Sequence, residues 1–491
     1  MQSKVTRRTA LSMASGTFLA GLLSACGAPP APTTAPAPPA PATTAPAPAA
    51  IAAPKPPAQE AAKPVVGQAP PAGAPGGPST GLSGSIEVFF PRTAVCRLCG
   101  AVDTWNQMNP NAKVVDKDVP WAGDKQAAAL AAGQGGPDLY QSDPDEVQRD
   151  ALTGKLLDLT DTLRPIEDQY VKYKLEQFRN PKNGKLYAFP WQVGLSMMIY
   201  RQDILTKLGQ TEFPVTWTWE QQEQLAEKAK KDLNVNTGWL GSGAQPKDSN
   251  IFIQMLWQAG GTLVSKDWTK IELDSPAGIE IAQRLQRWSK KQLLFEGSFY
   301  TPALWGGMRE GLLWNTTDPS WWLLGMQDNI KTPQDHAGDW RISPMPLPKA
   351  GGPRTANEGG GGLASPAYTK NPDLVRAFGT YATTNLKATV PTIKMGTVLS
   401  AKTSFSDPTV LDIALPVTGP QKIHKLYAEL VAEVPSTFYY SAAFPEIRNL
   451  LSQNLLTFVK SDTPIEGSIK KLAEDARKLN ERWLRLLDAV K

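Results

Sequence analysis

From residue 85 onward the chain alternates short apolar runs with segments of helical spacing. Residues 85–90, Ser-Ile-Glu-Val-Phe-Phe, form a run of strand length, and residues 100–109 then place Val102, Trp105 and Met108 on one helical face before an Asn-Pro stop. A second pair follows, with a strand at 112–115 and a helix at 124–132. Gly133-Gln134-Gly135-Gly136 closes that helix, and residues 137–140 read as the next strand. The same reading predicts strands at 195–200 and 311–314, helices at 219–231, 251–258 and 277–291, and a helical stretch over 444–490. Strands alternating with helices imply parallel pairing, so the fold class is α/β. Ligands of such sheets sit beyond the carboxyl ends of the strands, in the loops that lead to helices. Residues 344–362 concentrate Pro and Gly and are expected to cross the surface before a glycine run.

The first 83 residues follow another pattern. Lys4-Val-Thr-Arg-Arg8 precedes a modestly apolar run at 10–23 and the small residues Ser24 and Ala25, which together form an export signal. Residues 6–11 resemble the twin-arginine pattern, and Leu23-Ser24-Ala25-Cys26 resembles a bacterial lipobox. That implies a signal peptide over 1–25 and a lipid anchor to the cell membrane on Cys26. The apolar run is shorter than the roughly 20 residues a spanning helix needs. Residues 26–83 continue with Ala, Pro, Gly and Thr and too few large apolar groups for a core, and are expected to form a disordered tether. The folded part is then extracytoplasmic.

A chain of 491 residues, 41% hydrophobic and 20% charged, is long enough for two domains with their own cores. The net charge of +5 is spread along the chain without a dense Lys/Arg block, so nucleic acid is not an expected partner. Three cysteines and two histidines leave little material for a metal cluster, and no metal or cofactor is expected. Serine nucleophile elbows, zinc-protease helices and phosphate loops are absent, so no catalytic residue is assigned. Fifteen tryptophans are the unusual enrichment. An indole offers a flat apolar face and an edge N–H, which serve either a core or a binding surface.

Several segments in order resemble the family of extracellular solute-binding proteins that serve ABC importers, in particular the sugar-binding branch (family 1). They are Gly136-Pro-Asp-Leu139 with Asp143, Gly184-Lys-Leu-Tyr-Ala-Phe-Pro190 continuing to Leu208-Gly209, and Pro214-Val-Thr-Trp-Thr-Trp-Glu220. Residues 359–364 with Asn371-Pro372, Ala377-Phe378 and the helical tail complete the series, which runs from about residue 85 to the C-terminus. Trp305 and Arg309 depart from the family's small residues and plain apolar pair. The resemblance implies a two-lobed periplasmic-binding-protein-like fold with multiple interlobe crossings (type II). Lobe 1 would comprise 84–193 plus about 364–408, and lobe 2 about 194–363 plus 409–491. Crossings are expected near 191–196 and 359–365, with a third between 401 and 420. The implied function is capture of a small polar solute, a mono- or oligosaccharide, in the interlobe cleft of a monomer and its delivery to ABC importer permease subunits. Closure around the ligand is the event that the importer reads.

A sugar presents hydroxyls that suit planar polar partners and C–H faces that stack on aromatic rings. Trp321 stands where the family places a stacking aromatic, while Trp322 is expected to pack inward. Trp121, in a Pro-Trp-Ala-Gly turn, Trp191, beside the first crossing, and Tyr440, in Phe438-Tyr-Tyr, are further aromatic candidates. Arg92 and Asp143 follow predicted strands. Asp248 and Asn250 precede a helix, where capping is the alternative role. Glu358 and Gly360 belong to the glycine run, whose backbone either approaches a ligand or serves a flexible crossing. Cys96 and Cys99 are expected to form a disulfide beside the cleft, with a thioredoxin-like redox pair as the alternative. Two other functions stay open: a secreted carbohydrate-active hydrolase, with two carboxylates roughly 5–9 Å apart, and a binder of a non-sugar solute such as a peptide or polyamine.

Overall fold

A computed structural model describes residues 81–91, 98–119 and 123–490. Cys26, Arg92, Cys96 and Trp121 lie outside these residues, as do the segments read as signal peptide and most of the tether. The described strands are β1 Gly84–Pro91, β2 Ala112–Val119, β3 Leu139–Ser142, β4 Ala188–Pro190, β5 Ser196–Arg201, β6 Asn236–Thr237, β7 Trp239–Leu240, β8 Phe295–Glu296, β9 Leu313–Pro319, β10 Trp340–Ser343 and β11 Gly362–Ala364.

One half is built on the sheet β2-β1-β3-β11-β4. The apolar alternation of β1 buries Ile86, Val88 and Phe90, and β1 runs parallel to β2 from Gly84 opposite Ala112 to Pro91 opposite Val119. Helices Cys99–Met108 and Pro372–Thr384 cover it, and Leu386–Lys394 packs against both of them. Trp105 carries the predicted face of the first helix into this layer. It packs edge-on to Phe378 at 5.6 Å and donates from Nε1 to Ala112 O at 2.8 Å.

The other half is built on the sheet β10-β5-β9-β6, flanked by helices Trp219–Leu233, Asn250–Gln258, Pro276–Lys290, Phe444–Lys460 and Ile465–Val490. Every residue of β5 is buried, which explains its unbroken apolar run. The expected parallel pairing is present between β1 and its neighbours β2 and β3, and between β6 and β9, but it does not extend to the strands beside the crossings: β5 is antiparallel to both β9 and β10, and β11 is antiparallel to β3 and β4. Of these strands, β5 and β11 are entered directly from the extended segments 191–196 and 355–361 that join the halves, whereas β9 and β10 follow helices Pro302–Arg309 and Trp322–Asn329 within their own half.

Residues 191–196, 355–361 and 398–400 run side by side where the halves join. Gln192 N donates to Gly361 O, Val193 N to Val398 O, Glu358 N to Gly194 O, Ser196 N to Ala356 O and Ser400 N to Trp191 O, all within 2.8–3.0 Å. Residues 355–358 are therefore buried, not a surface run as their Pro/Gly-rich context predicts, because the neighbouring crossing satisfies their backbone groups. Gly360 has φ +78°, and a Cβ there would lie 2.5 Å from Gln192 O. A Cβ on Gly194 would lie 1.9 Å from Glu358 O. Both glycines let one crossing touch the next, and for Gly360 this contact replaces the expected approach to a ligand.

Candidate ligand cleft

The carboxyl end of β3 delivers Asp143 to the start of helix Pro144–Ala151. Glu146 closes a capping box there, its Oε2 accepting from Asp143 N at 3.1 Å and from Ser142 Oγ at 3.2 Å. Three acids in four residues thus gather at a helix N-terminus, where the backbone N–H groups favour negative charge. The second half faces them with two cations. Lys247 Nζ, in the turn before helix Asn250–Gln258, lies 3.0 Å from Asp143 Oδ2. Arg448 Nη2, on helix Phe444–Lys460, lies 3.1 Å from Asp145 Oδ2.

Aromatic faces and the crossings complete the site. The Lys247 ammonium stands 4.9 Å from the Trp321 ring centroid and 5.8 Å from that of Phe299. Trp321 Nε1 donates to Glu358 O at 2.9 Å. Gly359, with φ +58°, lies over this junction: a Cβ there would be 3.7 Å from Trp321 Nε1, 3.8 Å from Lys247 Nζ and 4.0 Å from Asp143 Oδ1. From below, the fully buried Lys174 of helix Lys172–Phe178 donates to Gly359 O at 2.9 Å and to Gln177 Oε1 at 2.8 Å. A cavity of about 820 Å³ lies on the far side of Gln177, the residue that accepts from Lys174, and Asp143, Lys247, Trp321 and Glu358 do not line it. Tyr173 and Gln177 line it from the first half, and Trp257, Trp268, Phe438 and Tyr440 from the second.

Burial opposes ionisation of Asp143, but Lys247 and Arg448 outweigh it and hold the carboxyl below its ordinary range. Burial likewise opposes the charge on Lys247, and Asp143 and Glu358 overcome it, so the ammonium is held above its usual range. Glu146 is pushed up to about 8 by burial and then by Asp143 and Asp145. Burial raises Glu358 too, and its Oε2 has no hydrogen-bond partner among the described residues. Burial lowers Lys174 to about 7. The cleft therefore keeps the Asp143–Lys247 pair charged, beside a Glu146 carboxyl and a Lys174 amine that burial holds nearer to neutrality. Among the described residues, no group of three or more His, Cys, Asp or Glu is arranged to hold a metal ion.

Of the residues singled out from sequence, Asp143, Trp321 and Glu358 meet in one cluster. Asn250 lies one turn from Lys247, its N–H donating to Lys247 O, and it is fully buried with neither Oδ1 nor Nδ2 hydrogen-bonded among the described residues. Tyr440 lines the cavity beyond Gln177 and packs edge-on to Trp257 and Phe444. Asp248 has a different role: it accepts from Gly243 N, Gln245 N, Ser298 Oγ and Phe299 N at 2.7–3.1 Å, and these bonds fasten two loops together. Trp191 is 1% exposed and packs edge-on against Phe90 at 4.6 Å, a core position below the crossing. Trp322 packs inward as expected, stacked on Trp239 at 5.6 Å. The sequence reading missed Lys247, Arg448, Asp145 and Lys174. Only a pattern of charge opposite charge across distant segments could have signalled them.

Residues 99–385 match the family described as bacterial extracellular solute-binding protein. The arabinooligosaccharide-binding protein of Bacillus subtilis (strain 168) is 26% identical over 293 residues, which is 57% of this chain and 64% of the relative. The chain thus spans just under two thirds of that relative's length. Among solved structures, an ABC transporter associated binding protein from B. animalis subsp. lactis Bl-04, in complex with β-1,6-galactobiose, superposes with a TM-score of 0.68. It is 20% identical and covers 82% of this chain and 98% of its own. The GacH receptor of Streptomyces glaucescens, solved unliganded and with acarbose, gives a TM-score of 0.66 at 19% identity, covering 82% and 99%. These likenesses identify the fold as a two-lobed α/β architecture, with the segments described above crossing between its halves. With more than half of its length matched, the chain belongs to the bacterial extracellular solute-binding protein family.

Proposed function

We propose that the protein captures a mono- or oligosaccharide between its halves and releases it, unchanged, to the permease subunits of an ABC importer. The observation that carries this reading is the meeting of Trp321 with Asp143, Lys247 and Glu358 beside the crossings, where an indole face and charged hydrogen-bonding groups converge from both halves. The fully buried and unpartnered Asn250 amide adds a donor and an acceptor that suit a hydroxyl. The names of the relatives support the same ligand class, since they describe binders of arabinooligosaccharide and of β-1,6-galactobiose. In this reading, residues 84–193 with about 364–408 form one lobe, and about 194–363 with 409–491 the other. The protein is a monomer, exported by the signal at 1–25 and held at the membrane by acyl chains on Cys26. Residues 26–83 are the tether, and a Cys96–Cys99 disulfide stiffens the loop after β1.

The test is a thermal-shift screen of the protein against arabinooligosaccharides, β-1,6-galactobiose, maltose, putrescine and a short peptide, followed by calorimetry of each hit and chromatography of the recovered ligand. A sugar should raise the melting temperature and return intact. A response to putrescine or peptide alone, or recovery of cleaved sugar, would overturn the reading.

A further inference from the structure

Two ion pairs join the halves, and both end on the first turn of helix Pro144–Ala151. Asp143 and Asp145 come from the first half, and Lys247 and Arg448 from the second. The two cations differ in what else they touch. Arg448 pairs with Asp145, whereas Lys247 also lies over the Trp321 ring at 4.9 Å, on the surface that a stacked sugar would use. It reaches from an aromatic ring of its own half to a carboxylate of the other, which are the two kinds of contact that closure around a guest requires. The position is well enclosed: Asp143 is nearly buried, Lys247 largely so, and Gly359 covers the pair from the crossing. Such a pair is weakly screened by salt and keeps its attraction.

We infer that Lys247 latches the two halves together across the cleft through Asp143, its ammonium resting on the indole face that a stacked ring would take. The placement of Trp321 as a ligand contact rests on the reading above, but the latch itself does not. An incoming ring must lift the ammonium from the indole, so ligand affinity is set partly by how firmly Asp143 retains Lys247.

Small-angle scattering from the ligand-free full chain tests the latch. Residues 1–83 are common to all variants, so differences in radius of gyration report the cleft. Lys247→Met keeps the aliphatic stem and removes the charge, while Asp143→Asn keeps a helix-capping oxygen. Each should shift the radius of gyration upward, and the double variant should go no further, because both remove one interaction. The exchanged pair Lys247→Asp with Asp143→Lys should bring it back toward the wild-type value. Circular dichroism establishes that each variant is folded. Should Lys247→Met fail to fold, Asp143→Asn decides alone. A folded variant whose scattering superposes on wild type overturns the latch. The experiment uses no sugar, so a ligand screen without hits leaves its outcome intact.

Discussion

Arg448 Nη2 stands 3.1 Å from Asp145 Oδ2 across the cleft, with the guanidinium side chain 9% exposed and the carboxylate 1%. Neither carboxylate oxygen of Asp145 has a hydrogen-bond partner among the described residues, so the contact is held by charge. Taking away the cation leaves a buried acid uncompensated. Arg448→Met should therefore destabilise the protein by about 3–5 kcal/mol, and adding Asp145→Asn should recover much of that loss. Denaturant titration of the single and double variants measures it, and additive losses would count against the pairing.

Asn250 separates stability from binding. Its buried amide has no partner among the described residues, and an unsatisfied buried polar side chain costs on the order of 1–3 kcal/mol. Asn250→Ala should raise the melting temperature of the ligand-free protein and at the same time weaken sugar binding. A fall in melting temperature would show that the amide has a structural partner.

Trp321 is expected to be the strongest single contact with the ligand. Trp321→Ala should reduce sugar affinity by roughly tenfold or more, equivalent to about 1.4 kcal/mol. Trp321→Phe keeps a ring but loses the donor to Glu358 O, so it should fall between the two. Calorimetry with the first responding sugar reads both, and an unchanged Trp321→Ala dissociation constant removes stacking from the account.

The glycines of the crossings differ from those of surface turns. Gly133 has φ +70° with nothing within 4 Å of a Cβ, so Gly133→Ala should cost about 1–2 kcal/mol for its left-handed backbone alone. Gly360→Ala adds a Cβ 2.5 Å from Gln192 O and must push the crossings apart, a further penalty of about 1–3 kcal/mol. Equal losses in chemical denaturation would contradict the close approach.

His424 gives the fold a pH limb. It is 1% exposed, and burial lowers its imidazole to about 4, against a backbone hydrogen bond at Ile393 that works the other way. With a folded value below the unfolded 6.5, the unfolded chain binds the extra proton between the two. Stability is fully present above pH 6.5 and falls as pH drops toward 4, by about 3 kcal/mol at 1.36 kcal/mol per pKa unit. His424→Gln should flatten that limb in unfolding curves taken from pH 7 to 4.5. Parallel curves for the two proteins would rule it out.

The sequence made the first half legible because its strands alternate cleanly and its helices carry one apolar face, as in β1 and the helix of Trp105. It ended β9 too early, at Trp314. The next residues, Asn315, Thr316 and Asp318, are polar yet buried. Asp318 accepts from Trp239 Nε1 at 2.9 Å and from Thr316 Oγ1 at 2.6 Å, while burial pushes its carboxyl up to about 7. Hydropathy cannot separate such a strand end from a loop. The ion pairs were illegible for a related reason: Asp143 and Lys247 are 104 residues apart, and each alone reads as a solvated charge. Lys174 reads as the polar side of a short helix until the crossing is seen to cover it.

The backbone ladder that knits residues 191–196 to 355–361 and 398–400 restricts how the molecule can flex. Adjacent extended segments bonded edge to edge resist sliding, since a shift would break several bonds at once, but they bend readily as a sheet because twisting leaves the bonds intact. The permitted motion is then a swing about a single axis, like a cover on its spine. Side chains that face each other across the groove from opposite halves, such as Tyr173 and Trp268, then separate by a distance that grows with the angle of swing, and the Lys247–Asp143 contact opens with them.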